Sequence, residues 1–464
     1  MIVSEIYTNQ SIVILGLGRS GIALAEALTQ SGAKVLVWDD NPDVLLKACE
    51  RGLEALNRNK KDQWRGVDIL LVSPGVPFLY PKIHNIILEA SKAQVPIDND
   101  IGMFFNILET TKKNFKIPPK VIAVTGSNGK STTSSLIHHI LIKAGTTVQF
   151  GGNIGKAVFD LNPVQNEEVI VLELSSYQLE VAKRLSPDIA IFTNFSPDHL
   201  DRHGGVQGYF SAKKRLFDSG HSNTSIINID SKEGLLLLNQ NASSNQDSQS
   251  IRVTSGPLTN TKDWTVGCFL DRLVEMKEGK EVFSMPLKSL KNIPGVHNQE
   301  NICLAYAACK AIGIESKVIK AAVKSYVGLK HRIQLVGIRH GVKYINDSKA
   351  TNSDSASVAL KTFKNIHWIC GGEKKEEKLT NLVFNAKLVK KVYVIGEDPV
   401  GFAAQLGFDP HELCGSMEDA VKLASEEAIP GDIVLLSPAA ASFDQYQNFE
   451  KRGEHFIELV KKIL

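Results

Sequence analysis

Two glycine loops, each placed directly behind a short apolar run, constrain this chain more than any other feature. Gly16-Leu-Gly-Arg-Ser-Gly21 follows Ser11-Ile-Val-Ile-Leu15 and precedes Ile22-Ala-Leu-Ala-Glu-Ala-Leu28. Gly126-Ser-Asn-Gly-Lys-Ser-Thr132 follows Val121-Ile-Ala-Val124. Strand, glycine turn, helix is the unit of a parallel sheet, because an apolar run so short needs cover on both of its faces. The rhythm recurs at Ala33 to Trp38, Asp68 to Val72, Glu168 to Leu172, Ile189 to Phe192, Ile366 to Cys370, Lys391 to Ile395 and Asp432 to Leu436. The expected class is α/β, in three modules that each carry a mostly parallel sheet. The first is expected to be Rossmann-like, the second to resemble a P-loop ATPase and the third to be Rossmann-like again.

A chain of 464 residues is too long for one core. The polar segment Thr110 to Lys120, with its double proline, puts one boundary between residues 98 and 120, and Tyr326 to Arg332 marks another. The modules then span 1–98, 99–328 and 329–464. A long helix is expected at about Asn298 to Ile312, and the polar stretch Asn239 to Ser250 reads as a mobile loop. Basic and acidic residues number 53 and 50, a net charge of +3 that gives no reason to expect nucleic acid or a membrane surface as partner. The six cysteines lack a C-x-x-C pair, so reduced thiols are expected rather than a disulfide framework or a zinc site. No basic leader opens the chain and no apolar run reaches the roughly 18 residues of a membrane span, which makes a cytoplasmic protein the expectation.

The second loop carries the chemistry. Its G-x-x-G-K-S spacing is shorter than the general G-x-x-x-x-G-K-[ST], yet its physics survives. Glycines let the backbone wrap a phosphate, so Gly126, Ser127, Asn128, Gly129, Lys130, Ser131 and Thr132 are candidates to bind a nucleotide, with Lys130 reaching its terminal phosphates and Ser131 a metal. The alternative is a plain serine-capped glycine turn. Phosphoryl transfer also wants a metal held by carboxylate or imidazole. Glu173, just past an apolar strand, and His199, between Asp198 and Asp201, are the candidates, and each could instead be a surface side chain.

Thr125 to Thr132, Glu173-Leu-Ser-Ser176, Asn194 to His203 and Pro294-Gly-Val-His-Asn298 together resemble the Mur ligase family, the ATP-dependent amide-forming enzymes of peptidoglycan precursor synthesis. Gly16 to Gly21, Asn346-Asp-Ser-Lys-Ala-Thr-Asn352 and Ser437 to Gln445 are similar to the member that adds D-glutamate. The resemblance implies ATP, two magnesium ions and the small-molecule substrates UDP-N-acetylmuramoyl-L-alanine and D-glutamate, handled by a monomer. It gives the first loop to a uridine diphosphate: Leu17, Arg19 and Ser20 on the diphosphate, Asp39, Asp40 and Asn41 near uracil, Ser73 and Gly75 on the sugar side, and Asn153 and Ser175 on the muramoyl peptide. Asp39 and Asp40 could simply cap a turn, and Gly21 could serve only to pack helix on sheet.

By the same resemblance, Asn298, Asn301, Arg332 and Asp347 meet the nucleotide, although Asn298 could be a helix N-cap. Lys349, Thr351, Lys375, Ser442, Phe443 and Phe449 form the D-glutamate pocket. Lys213 matches the family's carbamylated lysine, a metal-binding anion whose formation needs a neutral amine; its neighbour Lys214 is the alternative. The metal set implied is Ser131, Glu173, His199 and Lys213, and the catalytic set Lys130, Glu173, His199 and Lys213. Two other activities remain compatible with the sequence. A sister ligase would add a different amino acid, and a nicotinamide-dependent oxidoreductase would use Gly16 to Gly21.

Overall fold

The computed structural model describes the whole chain except residues 60–61, 219–221, 245–248, 259–261, 289–292, 294, 374–378 and 380–381, and the side chains of 242–244 and 354. Three sheets are formed by the described residues. The first has five parallel strands in the order Glu54–Ala55, Lys34–Trp38, Ser11–Leu15, Ile69–Val72, Ile97–Asp98. Its order reverses beside Ser11–Leu15, so the loops leaving that strand and Ile69–Val72 open a crevice at the carboxyl edge.

The second sheet has nine strands. Lys120–Thr125 lies between Val169–Glu173 and Ile189–Phe192, parallel to both, and Val148–Gly152 flanks Val169–Glu173. Thr224–Asn228, Gln249–Thr254 and Thr265–Phe269 continue the parallel order, and Arg272–Lys277 and Lys280–Pro286 close that edge as antiparallel strands. These six-odd residue runs include strands the apolar pattern does not announce. Val148-Gln-Phe-Gly-Gly152, for example, has glycine or glutamine at three of its five positions and is held by its neighbour rather than by its own propensity.

The third sheet, of six strands, runs Gln334–Arg339, Val342–Asn346, Ile433–Leu436, Ile366–Gly371, Val389–Ile395, His411–Gly415, antiparallel only at its first pair. Trp368, Ile369, Val394 and Leu435 are wholly buried in it, as strands covered on both faces require.

The chain divides into two compact units. One is Met1–Ser289 with Val296–Ser325, and the other is Leu290–Gly295 with Tyr326–Leu464. Within the first, the first two sheets share a continuous core that runs from Ile12 and Ile14 through Phe104 and Phe159 to Val121 and Ile170. The expected loop at Asn239 to Ser250 is corrected in part. Helix Lys232–Ser244 runs through its first half and strand Gln249–Thr254 takes its end. Buried Leu237 and Leu238 anchor that helix, and once nucleated it propagates into polar residues that would not start one. Among the described residues no helix is long and apolar enough to cross a membrane.

Candidate active site

Strand Lys120–Thr125 delivers the second glycine loop to the carboxyl edge of its sheet, and helix Lys130–Lys143 leaves it. Gly129 turns the chain at a φ of 80°, and a Cβ there would collide with Asn301 Oδ1. Glycine alone permits both the turn and that approach. Asn301 Oδ1 accepts from Thr133 Oγ1 at 3.2 Å, and Asn301 Nδ2 donates to Asn298 Oδ1 at 3.2 Å. Both asparagines are therefore buried beside the loop. Asn298 is no N-cap: its helix, Val296–Ala311, begins two residues earlier.

The loop is braced by segment 193–196. The backbone N–H groups of Ser127 and Asn128 donate to Asn194, at its carbonyl (3.0 Å) and its Oδ1 (2.8 Å), and Thr193 Oγ1 donates to Asn128 O at 2.5 Å. Two amides expected to face phosphate are thus committed to the protein. This shifts the anion-binding role toward the first turn of helix Lys130–Lys143, where the dipole is positive. Lys130 Nζ folds back onto the loop, donating to Gly126 O at 2.9 Å and Ser127 O at 2.7 Å.

Around this loop stand the other three expected catalytic residues. Glu173 ends strand Val169–Glu173, is only 2% exposed, and accepts from Asn153 Nδ2 at Oε1 (2.9 Å). Its Oε2 is buried with no hydrogen-bond partner among the described residues, an orphaned carboxylate oxygen of the kind a cation satisfies. His199 sits at a φ of 52°, a left-handed position that costs a non-glycine residue energy and is often found where function fixes the backbone. Burial holds its imidazole below the usual range, although Asp198, with Oδ2 3.4 Å from Nε2, opposes this. Lys213 is 1% exposed and its Nζ donates to Gly126 O at 2.8 Å. Burial first, and the charge of Lys130 second, push its amine well below the ordinary lysine range. Lys214, by contrast, lies at the surface toward Asp218. Of the expected donors, the Ser131 hydroxyl and the Glu173 carboxylate are the hard oxygens that magnesium takes, and Lys213 would offer oxygen as a carbamate. Among the described residues no three of His, Cys, Asp and Glu gather as a metal site, and the expected set contains only two of those types.

Tyr209, which the motifs did not single out, packs into the same centre. Its hydroxyl donates to Ser127 Oγ at 3.2 Å and its ring lies 4.4 Å from Lys213 Nζ. Its place four residues before Lys213 on helix Val206–Lys214 is the signal that could have found it.

The first glycine loop lines a cavity of about 430 Å³ in the same unit. Arg19, Ser20, Asp39, Asp40, Ser73, Gly75 and Asn153 all border it. Leu17 does not, because its side chain is buried in the core; only its backbone N–H reaches this region, donating to Asp39 Oδ2 at 2.7 Å. Asn41 caps helix Pro42–Glu50 through Asp43 N, and Ser175 caps helix Ser176–Val181 in a capping box with Gln178, so neither side chain lines the cavity. Gly21 packs helix on sheet, as its alternative reading had it: a Cβ there would strike Gly16 O. His84 is an unforeseen wall residue. Its Nδ1 accepts from Ile86 N, so Nε2 carries the proton it gives Asp40 Oδ2 at 2.8 Å, and that bond is the main reason the Asp40 carboxyl lies below its usual range.

The second unit brings the Asn346 to Asn352 loop and the Ser437 to Ser442 loop together. Asp347 accepts from Ser437 Oγ (2.9 Å) and Ile333 N (3.1 Å), and burial raises its carboxyl to about 7, with the Arg332 charge acting the other way. Lys349 Nζ stands 3.9 Å from the Phe449 ring centroid, a cation–π contact. Ser442 is buried, Thr351 half-buried, and Phe443 is 64% exposed. Lys375 lies outside the described residues.

Arg452, like Tyr209 and His84, belongs to no motif the sequence offers. It is buried and donates to Ser348 O, Ser348 Oγ, Ala440 O and Ala441 O, at 3.0 to 3.1 Å, so a single guanidinium holds both loops. The signal was there: Phe449, Arg452, Phe456 and Val460 fall on one helical stripe, which puts a charge among core residues.

Three family profiles match: a Mur ligase MurD-like N-terminal domain over residues 10–97, a Mur ligase middle domain over 124–309, and a Mur ligase glutamate ligase domain over 331–440. The chain is 48% identical over 457 residues to the UDP-N-acetylmuramoylalanine--D-glutamate ligase of Cereibacter sphaeroides strain KD131, with 98% of each chain covered. It is 47% identical over 455 residues to the protein of the same name from Roseobacter denitrificans, again with 98% of each covered. Among solved structures it resembles the UDP-N-acetylmuramate-alanine ligase MurC of Thermotoga maritima, at 18% identity and a TM-score of 0.58, covering 98% of this chain and 100% of that one. At that identity the likeness speaks for the fold.

Proposed function

This chain belongs to the Mur ligase family, and on that premise we propose that it joins D-glutamate to UDP-N-acetylmuramoyl-L-alanine while ATP is cleaved to ADP and phosphate. The observation that carries the assignment of its reaction centre is the convergence, around one phosphate loop, of Lys130, an orphaned carboxylate oxygen on Glu173 and a buried amine on Lys213. A carboxylate does not acylate an amine, because its leaving group would be oxide. Phosphorylation cures that: the alanyl carboxylate attacks the γ-phosphate of ATP, and the amine of D-glutamate displaces phosphate from the acyl phosphate through a tetrahedral intermediate.

Lys130 swings from its carbonyl partners to the transferring phosphoryl group, and the first turn of its helix faces the other phosphates. Magnesium, held by Ser131, Glu173, His199 and Lys213, supplies charge neutralisation when bound. Lys213 joins that set as the carbamate. Its neutral Nζ adds to carbon dioxide and gives up a proton, turning a buried neutral amine into an anion. Asn153, bonded to Glu173 and bordering the 430 Å³ cavity, links the acceptor's site to the reaction centre. Lys349, Thr351, Lys375 and Ser442 receive D-glutamate, with Arg452 holding the loops of Lys349 and Ser442 through Ser348, Ala440 and Ala441, and the reaction belongs in the cytoplasm where its nucleotide substrates are made.

The decisive experiment measures ADP formation from ATP with UDP-N-acetylmuramoyl-L-alanine present and each amino acid added in turn. D-Glutamate alone should support turnover. Equal turnover with L-alanine or a diamino acid would overturn the assignment.

A further inference from the structure

Between the phosphate loop and the first cavity lies a helix of four residues, Leu200–His203, that begins directly after His199. Two contacts fasten it to the loop after strand Ile69–Val72. Arg202 donates from Nη1 to Gly75 O at 3.3 Å and from Nη2 to Val76 O at 3.1 Å. Gly204, just past the helix, presses against Tyr80 so closely that a Cβ would lie 2.6 Å from its ring. The same loop, from Ser73 to Pro77, forms a wall of the cavity of about 430 Å³.

On its other side the Arg202 guanidinium stands 4.6 Å from the Tyr177 ring centroid. That ring lies 5.1 Å from the His199 ring and stacks on His203 at 5.3 Å. His203 in turn sits 2.9 Å from Ser176 Oγ through its Nε2. One planar, rigid fork therefore touches the wall of one site and the aromatic support of the residue that serves the other.

We propose that Arg202 is a positioning residue that couples occupation of the UDP-sugar cavity to the placement of His199 at the phosphate loop. The proposal rests on the function assigned above. Its partners are carbonyls, so what it transmits is geometry: a shift of Gly75 and Val76 on filling the cavity moves the guanidinium, and through Tyr177 and the short helix it moves His199. Coupling between two ligands is a free energy that a residue lying between them can remove without touching either ligand.

The test measures, by calorimetry, the affinity of the magnesium complex of β,γ-methylene-ATP for the wild type, Arg202→Met and Arg202→Lys, without and with saturating UDP-N-acetylmuramoyl-L-alanine. In the wild type the UDP-sugar should tighten the analogue by about fivefold or more. Arg202→Met should bind the analogue alone as the wild type does and lose that tightening. Its KM for the UDP-sugar and its KM for ATP, each taken with the other ligand saturating, should both rise by about fivefold or more, and its kcat should fall. Arg202→Lys, which can reach one carbonyl at a time, should fall between the two, and it decides the matter if Arg202→Met does not fold.

Tightening that persists at the wild-type level in both variants, or is absent from the wild type, would overturn the proposal, as would a drop in melting temperature with kcat and both KM values unchanged. Failure of the functional reading looks different: the wild type itself would release no ADP with UDP-sugar and D-glutamate.

Discussion

Lys213 shows how far a residue's chemistry depends on where the fold puts it. In the sequence it is one of three consecutive basic residues, and only a family resemblance favours it over Lys214. In the structure burial separates them, since Lys213 is enclosed with a depressed amine and Lys214 faces Asp218 at the surface. Lys213→Ala should lose at least about a hundredfold in kcat, and added short carboxylic acids should restore part of it by supplying the missing anion. A fully active Lys213→Ala enzyme would remove the carbamate from the mechanism. Lys130 was legible outright, because glycine spacing and a preceding strand define its place. Lys130→Ala should cut ADP formation by about a hundred- to a thousandfold while thermal unfolding stays near the wild type, since its hydrogen bonds to Gly126 O and Ser127 O lie within its own loop. Tyr209 was marked only by its place one turn before Lys213, and His84 carried no mark, since what makes it matter is Asp40, a partner distant in sequence.

The helix Phe449–Ile463 makes the same point for elements. Its apolar stripe predicts a packed helix, and the charge on that stripe is its functional content. Arg452 satisfies carbonyls of Ser348, Ala440 and Ala441, and burial lowers its guanidinium to about 10. Arg452→Met should therefore destabilise the protein by about 3 kcal/mol, because several buried acceptors lose their donor. It should also raise the KM for D-glutamate more than that for ATP, which steady-state kinetics at 25 °C would test. An unchanged D-glutamate KM would leave Arg452 a purely structural cation. The helix Lys232–Ser244 gives the opposite lesson: its polar second half offered no helical signal, and the apolar first half imposed the conformation.

At the scale of the molecule, stability depends on carboxylates that folding strips of water. Asp98 and Asp100, where the first sheet gives way to helix Asp100–Thr111, are both raised from 3.8 to about 6, chiefly by burial. A carboxyl raised on folding contributes stability that is complete below its unfolded pKa and is lost as pH climbs through the folded value. Asp100 thus weighs against the fold most above about pH 6. Asp100→Asn should be more stable than the wild type near pH 8 by up to about 3 kcal/mol, and the difference should close toward pH 4. Urea unfolding at both pH values measures it, and a gain independent of pH would show that the charge is not its source.

The order of residues encodes what is settled by local chemistry. Buried parallel strands announce themselves as unbroken apolar runs, and a phosphate loop as glycines at fixed spacing before a helix, because both are settled within about twenty neighbouring residues. Tertiary structure alone decided which lysine is stripped of water, which amides of the loop are spent on Asn194, and which arginines bind two segments a hundred residues apart. Those properties come from desolvation and from partners brought close in space, and neither is a function of the order of residues along the chain.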